Sequence, residues 1–181
     1  MLKLSDNELH WYVANTCRQE KKIKQRLDSM GIENFIPFQQ IARKIHGVDK
    51  LIEVPVIPNL VFIHTTLKTC MSLIQEYAFD MRYLRDRETG NFLIVPDKQM
   101  EDFKQMMYDF MFLLDFSKEM VEVVNENLKK GDKVRVIKGD FAGIEGELIR
   151  VKGHKRVVVR LEGVVSLATA YIPGSFLEKI E

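Results

Sequence analysis

Short apolar runs and stretches of helical period alternate along the front of the chain, and together they predict strands interleaved with helices. Trp11 to Ala14 is an aromatic and β-branched run with the composition of a buried strand. Ile23, Leu27 and Met30 then recur at helical spacing among Lys and Gln, and Gly31 stands where a left-handed C-terminal cap belongs, which predicts a short amphipathic helix with a basic outer face. Phe35 to Phe38 and Ile41 to Ile45 read as extended, with His46-Gly47-Val48-Asp49 as a four-residue hairpin tip that nothing apolar anchors. Leu60 to Ile63 is a second continuous apolar strand, preceded by Pro55 and Pro58, residues suited to strand ends and edges. Thr65 or Thr66 caps a helix carrying Leu67, Cys70, Met71, Ile74, Tyr77 and Ala78. Met81 to Asp86 and Phe92 to Val95 make a hairpin around Thr89-Gly90.

A third helix follows, with Asp97 as its N-cap and Met100, Phe103, Met106, Met107, Phe110, Met111 and Leu114 as its stripe. Tyr108, Phe112 and Leu113 widen that face, as expected of a helix packed deep against a sheet; a partner surface is the second reading of so Met-rich a face. From Lys133 the period changes to two. Val134 and Val136, Leu148 to Val151, Val157 to Val159, and Val164 to Leu167 form short strands between Gly139, Gly143, Gly146, Gly153 and Gly163, which predicts a small β-barrel.

Charge sharpens the division. Residues 101–128 carry seven acids against two bases, whereas residues 129–160 carry ten bases against four acids, so a boundary is expected near residue 128. The 181 residues allow one ordinary domain or two small ones, and 46% hydrophobic with 29% charged residues is a globular, folding composition. A net charge of +1 supplies no overall field for nucleic acid or an anionic membrane, so such binding requires local patches. With no membrane-length apolar run and no leader-like start, the expected location is the cytoplasm, and the two cysteines, Cys17 and Cys70, are expected to be reduced, small, buried apolar residues. No phosphate loop, zinc helix or nucleophile elbow is present, and His10, His46, His64 and His154 are widely spaced, so the expectation is a protein without catalytic residues, metal or cofactor.

The most specific segment is Val134-Arg135-Val136-Ile137-Lys138-Gly139-Asp140-Phe141-Ala142-Gly143-Ile144-Glu145-Gly146, in which Gly139 and Gly143 flank a loop expected to display Phe141. It resembles the KOW motif of the tail domain of NusG-family transcription elongation factors and of some ribosomal proteins. Trp11-Tyr12-Val13 before a basic helix, and Val56-Ile57-Pro58-Asn59-Leu60-Val61-Phe62-Ile63 after a hairpin, resemble the opening strand and the Pro-centred strand of that family's N-terminal domain. The Pro58-Asn59 pair and Ala168-Thr169-Ala170-Tyr171-Ile172-Pro173 are most similar to the specialised RfaH and UpxY-like branch, antiterminators of capsular polysaccharide operons.

The resemblance implies an α+β N-terminal domain over residues 1–115, an antiparallel sheet with flanking helices, then an acidic linker over 116–127 and an all-β SH3-like barrel over 128–181. It implies a monomeric factor that binds RNA polymerase across the clamp, from the β′ clamp helices toward the β subunit, and suppresses pausing or termination. Asn15, Pro58, Leu60, Phe62 and Leu84 are then the polymerase contact, with an apolar patch around Leu60, Phe62 and Leu84. Arg18, Lys21, Lys22 and Lys24 would meet phosphates of non-template DNA or of nascent RNA, a solvated helix face being the plain reading of the three lysines. Phe141 and Ile144 would dock a tail partner, a ribosomal protein or another factor, closure of the barrel end being the equal alternative for Phe141. The basic excess of the tail leaves a second class of function, an RNA-binding module acting on nascent or ribosomal RNA. The tail's five glycines and its Val157-Val158-Val159 run disfavour a helical alternative to the barrel.

Overall fold

The computed structural model describes residues 7–113, 121–124, 131–151, 154–161 and 163–180. The chain divides into two compact units, Met1–Val95 and Pro96–Glu181.

In the first unit the elements run β1 (His10–Asn15), α1 (Glu20–Ser29), β2 (Glu33–Phe35), β3 (Phe38–Ile45), β4 (Val48–Pro55), β5 (Leu60–Thr65), α2 (Leu67–Gln75), β6 (Arg82–Tyr83) and β7 (Ile94–Val95). An antiparallel sheet has the order β2-β5-β1-β6, with β7 also paired to β1. The expected hairpin of residues 81–95 is therefore two short strands that both pair with β1, bridged to each other at Arg85 and Phe92. Alternation along β1 and β5 turns Ala14, Val61 and Ile63 toward the helices, where they pack with Ile23, Leu27, Leu73, Phe79 and Met81. Leu27 and Leu73 are fully buried, each worth about 1.5–3 kcal/mol relative to an exposed position. Gly31 ends α1 at φ +66°, a conformation that disfavours any residue with a Cβ, and Met30 beside it is exposed, so of the expected stripe only Ile23 and Leu27 are buried. Thr66 caps α2, its Oγ1 accepting from the Thr69 N–H at 3.2 Å. Cys70 is buried, and burial pushes its thiol up to about 12, whereas Cys17 is exposed, against the expectation that both cysteines are buried.

β3 and β4 form a two-stranded ladder of their own, from Phe38↔Pro55 to Ile45↔Val48. Its turn is shorter than the expected four residues: His46 (φ +50°) and Gly47 (φ +81°) close it alone, both left-handed as a two-residue hairpin turn requires.

The second unit contains α3 (Asp97–Leu113), β8 (Val121–Val124), β9 (Asp132–Val136), β10 (Glu145–Val151), β11 (His154–Leu161), β12 (Val165–Tyr171), a 3₁₀ turn (Gly174–Phe176) and β13 (Leu177–Lys179). The strands form one antiparallel sheet of order β13-β9-β10-β11-β12-β8. The period-two segments are strands as predicted. β13 and β8 were not anticipated, and β8 lies inside the acidic segment expected to be a linker. The predicted stripe residues Met100, Phe103, Met106 and Met107 are fully buried, while Phe110, Met111, Phe112, Leu113 and Leu114 fall outside the residues whose side chains are described. Asp97 lies in the first turn of α3 instead of capping it, and the Met100 N–H donates to the Pro96 carbonyl at 3.0 Å. Sequence reading places α3 at the end of the first domain; here it falls in the second unit.

Two polar residues fasten α3 to the sheet. Lys98 Nζ donates to Asp102 Oδ1 at 2.6 Å and to the Gly143 carbonyl at 3.2 Å, and Asp102 Oδ2 accepts from the Glu145 N–H at 3.3 Å. Burial raises the Asp102 carboxyl above its ordinary 3.8, outweighing the Lys98 hydrogen bond and charge. An acid raised by folding holds its proton more firmly in the folded state, so its contribution favours folding at low pH and is lost as pH rises from about 3.8 through the raised value. Denaturant titrations at a series of pH values should show that decline, and Asp102→Asn should flatten it.

Candidate functional site

The strand register gathers most of the residues predicted to contact polymerase. Asn15 pairs with Leu60 and Val13 with Phe62, so Asn15, Leu60 and Phe62 share the sheet face opposite the α1 and α2 core. Leu84 continues β6, its N–H donating to the Val13 carbonyl at 2.8 Å, and by the same alternation it lies on that face. Pro58 is exposed in the turn before β5.

Exposure separates these residues. Asn15, Leu60 and Leu84 are half-buried, but Phe62 is 0% exposed, so the expectation of an accessible Phe62 anchor is corrected. Val13 beside it is also fully buried, and the Phe35 ring lies 6.3 Å away, centre to centre. A Phe in the third position of an apolar strand that has neighbours on both sides is a core position.

The turn carrying Pro58 is held by groups that periodicity does not reveal. Asn59 adopts φ +64°; its carbonyl accepts from the Thr16 N–H at 3.0 Å, and its N–H donates to Glu20 Oε1 at 2.7 Å. Glu20 is buried at 7% exposure. On the facing loop Asn15 Oδ1 accepts from the Cys17 N–H at 2.9 Å, and Cys17 (φ +51°) and Arg18 (φ +65°) are both left-handed. The Asn15 side chain thus shapes the β1–α1 loop. Glu20→Ala leaves the Asn59 N–H without its charged acceptor and should lower stability by about 1.5–3 kcal/mol, read as a shift of the urea midpoint.

The four predicted cations also separate. Arg18 and Lys22 are exposed, and neither makes an ion pair or hydrogen bond among the described residues. Lys21 pairs with Glu53 at 3.1 Å and lies 6.0 Å from the centre of the Phe38 ring. Lys24 is tied to Asp28 at 3.2 Å and to Asn34 at 3.4 Å. The Asn34 amide, then Lys24, hold the Asp28 carboxyl below its ordinary value, which places Lys24 in a local helix-end network.

In the second unit the loop between Gly139 and Gly143 turns inward. Phe141 is 6% and Ile144 2% exposed, which corrects the expectation that the loop displays Phe141 and leaves neither side chain open as a partner contact. The Gly143 N–H donates to the Val136 carbonyl at 2.8 Å and the Ile144 N–H to that of Phe141 at 3.2 Å, folding the loop back on β9. Ile137, which lies outside the predicted contact, is the exposed hydrophobic residue beside it at 46%. Among the described residues no cluster of His, Cys, Asp and Glu is arranged to hold a metal ion, and no helix is long and apolar enough to cross a membrane.

Two solved structures resemble the whole chain at 19% identity each. A Thermotoga maritima NusG structure concerned with domain interaction has a TM-score of 0.45, with 96% of this chain and 98% of that one covered. An MjSpt4:Spt5 complex has a TM-score of 0.21, with 94% and 97% covered. The family model described as transcription termination factor NusG matches residues 9–104, just over half of the chain, from β1 into the first half of α3. With that match spanning the sheet, the Pro58–Asn59 turn and the Asn15–Leu60 face, the chain belongs to the NusG family of transcription factors, with the α+β fold and antiparallel sheets of that family.

Proposed function

We propose that the protein is a non-enzymatic transcription elongation factor that binds RNA polymerase through the face holding Asn15, Leu60 and Leu84, with Pro58 at its edge, and suppresses pausing or termination. The carrying observation is the register: Asn15 lies opposite Leu60 and Leu84 is hydrogen-bonded to Val13, so the three residues share one face. In this reading the factor is a cytoplasmic monomer that bridges the β′ clamp helices and the β subunit, and restraint of clamp opening is the physical basis of the lost pauses. Half-buried Leu60 and Leu84 provide apolar area for a few dominant contacts, with buried Phe62 on the same face. Pro58-Asn59 supports a specialised, operon-specific role of the UpxY-like kind.

The tail is proposed as a KOW-type SH3-like barrel whose partner contact is exposed Ile137 and the loop after it, anchored from within by Phe141 and Ile144. The RNA-module alternative would rest on cations other than Arg135, paired with Glu145 at 2.6 Å, Arg160, paired with Glu147 at 3.3 Å, and Lys179, paired with Asp132 at 3.0 Å. Single-round transcription with purified polymerase tests the proposal. The full chain should shorten pauses, and Leu60→Asp, folded by circular dichroism, should fail to; equal activity of a folded Leu60→Asp protein would overturn the assigned face.

A further inference from the structure

The row of residues at the proposed contact extends one strand further, onto β6. Asn15 on β1 pairs with Leu60 on β5 to one side and with Arg82 on β6 to the other, so Leu60, Asn15 and Arg82 stand in line across the sheet. Paired residues of a ladder point to the same side, and neighbouring strands lie about 4.8 Å apart, which puts about 10 Å between the backbones of Leu60 and Arg82. Leu84, two positions along the chain from Arg82, has its side chain on that side as well. Tyr83 between them turns the other way, onto the core beneath α1 and α2.

Arg82 is exposed, and its guanidinium makes no ion pair or hydrogen bond among the described residues. The acids nearest to it in the chain are engaged elsewhere. Asp80 accepts from Gln19 Nε2, and Asp86 accepts from the Thr89 N–H at 2.7 Å, the Thr89 hydroxyl at 2.8 Å and the Glu88 N–H at 3.1 Å. Arg85 is used within its own hairpin, donating to the Gly90 carbonyl at 2.7 Å with its guanidinium 5.0 Å from the centre of the Phe92 ring. Arg82 is therefore a cation held free on this face, beside half-buried Leu60 and Leu84. Leucines alone accept any apolar surface. A guanidinium among them selects, because its desolvation is offset only by an acid placed opposite, and a partner without one leaves it unpaired. Its planar fork matches a carboxylate with two parallel hydrogen bonds, and arginine is enriched at dominant contacts.

We infer that Arg82 is the specificity-determining residue of the polymerase-binding face, pairing with an aspartate or glutamate that polymerase presents among apolar side chains. The inference rests on the proposed contact at Asn15, Leu60 and Leu84, and adds to it a charge requirement. A phosphate also suits a guanidinium, but it brings no apolar neighbours for the two leucines, so the face favours a protein carboxylate.

Binding of the full chain to purified core RNA polymerase, free of nucleic acid, tests it. Arg82→Glu should weaken binding by at least about thirtyfold, and Arg82→Lys, which keeps the charge and loses the fork, by less. Both variants should keep the wild-type urea midpoint, because the side chain is exposed. The Arg82→Lys complex also gives a direct check: a water-soluble carbodiimide joins the introduced amine to a touching carboxylate as an amide, and mass spectrometry should find position 82 linked to an Asp or Glu of polymerase. Unchanged binding by Arg82→Glu, or no such link from position 82, with Leu60→Asp still impaired, would overturn the assignment of Arg82 and leave the face standing. Loss by Arg82→Glu only on an elongation complex carrying DNA and RNA, with core enzyme bound as by the wild type, would show that the cation meets phosphate and would overturn it too. A folded Leu60→Asp chain that binds core polymerase as the wild type does would remove the face itself and the inference with it.

Discussion

Phe62→Ala should lower the unfolding free energy by about 3–5 kcal/mol, the cost of emptying a fully buried aromatic site. That is a large part of the total for an ordinary domain, which is about 5–15 kcal/mol. The removed ring packs beside Phe35 and Val13 in a strand bonded on both sides, so the backbone has little freedom to collapse into the space. Chemical denaturation followed by the fluorescence of Trp11, which lies on the neighbouring strand, measures it directly. A loss below about 1 kcal/mol would show that Phe62 is not packed as described. The consequence for function is practical: lost polymerase binding by Phe62→Ala reports on folding, whereas Leu60→Asp, at a half-buried position on the same face, reports on contact.

Gly146→Ala should destabilise the second sheet by at least the ~1–3 kcal/mol usual for overpacking. A methyl group there would lie 2.5 Å from the Val158 carbonyl oxygen and 2.9 Å from Val157 Cγ1. The nearest atom is backbone of a paired strand, so relief requires β10 and β11 to separate. Gly143→Ala provides the contrast. Nothing lies within 4 Å of its added methyl, and the penalty is only that of holding a non-glycine residue at φ +93°, about 1–2 kcal/mol. Amide exchange across residues 145–161 should accelerate in the first variant and not in the second; the same exchange in both would show that close approach is not why residue 146 is glycine.

These cases show which features sequence makes legible. α1, β5, the α3 stripe and the period-two strands were all readable because their signal is local: side-chain period and cap chemistry depend on neighbours in the chain. The family resemblance grouped Asn15, Leu60 and Phe62, and the register of β1 on β5 puts them on one face. Parity does not reveal whether a face is covered, and so Phe62, Phe141 and Ile144 read as displayed when they are buried. β8 and β13 escaped because each is an edge strand of three or four residues whose pairing partner is remote in sequence. Glu20 reads as one more solvated charge at a helix start; only the return of the chain at Asn59 gives its carboxylate a buried donor. For Lys24 the sequence leaves a phosphate contact and a solvated helix face side by side, and the structure adds a network with Asp28 and Asn34 that neither reading names. That contact depends on the chain's return after the Gly31 stop, which brings Asn34 back to Asp28.

The central claim is that the sheet face built on β1 and β5 is where polymerase binds. Hydrogen–deuterium exchange of the full chain with and without purified RNA polymerase tests this with no substitution. The account predicts slowed exchange at residues 13–16, 58–62 and 82–84 in the complex, with smaller changes across 131–180. Protection confined to 131–180, with residues 58–62 exchanging as in the free protein, would contradict it.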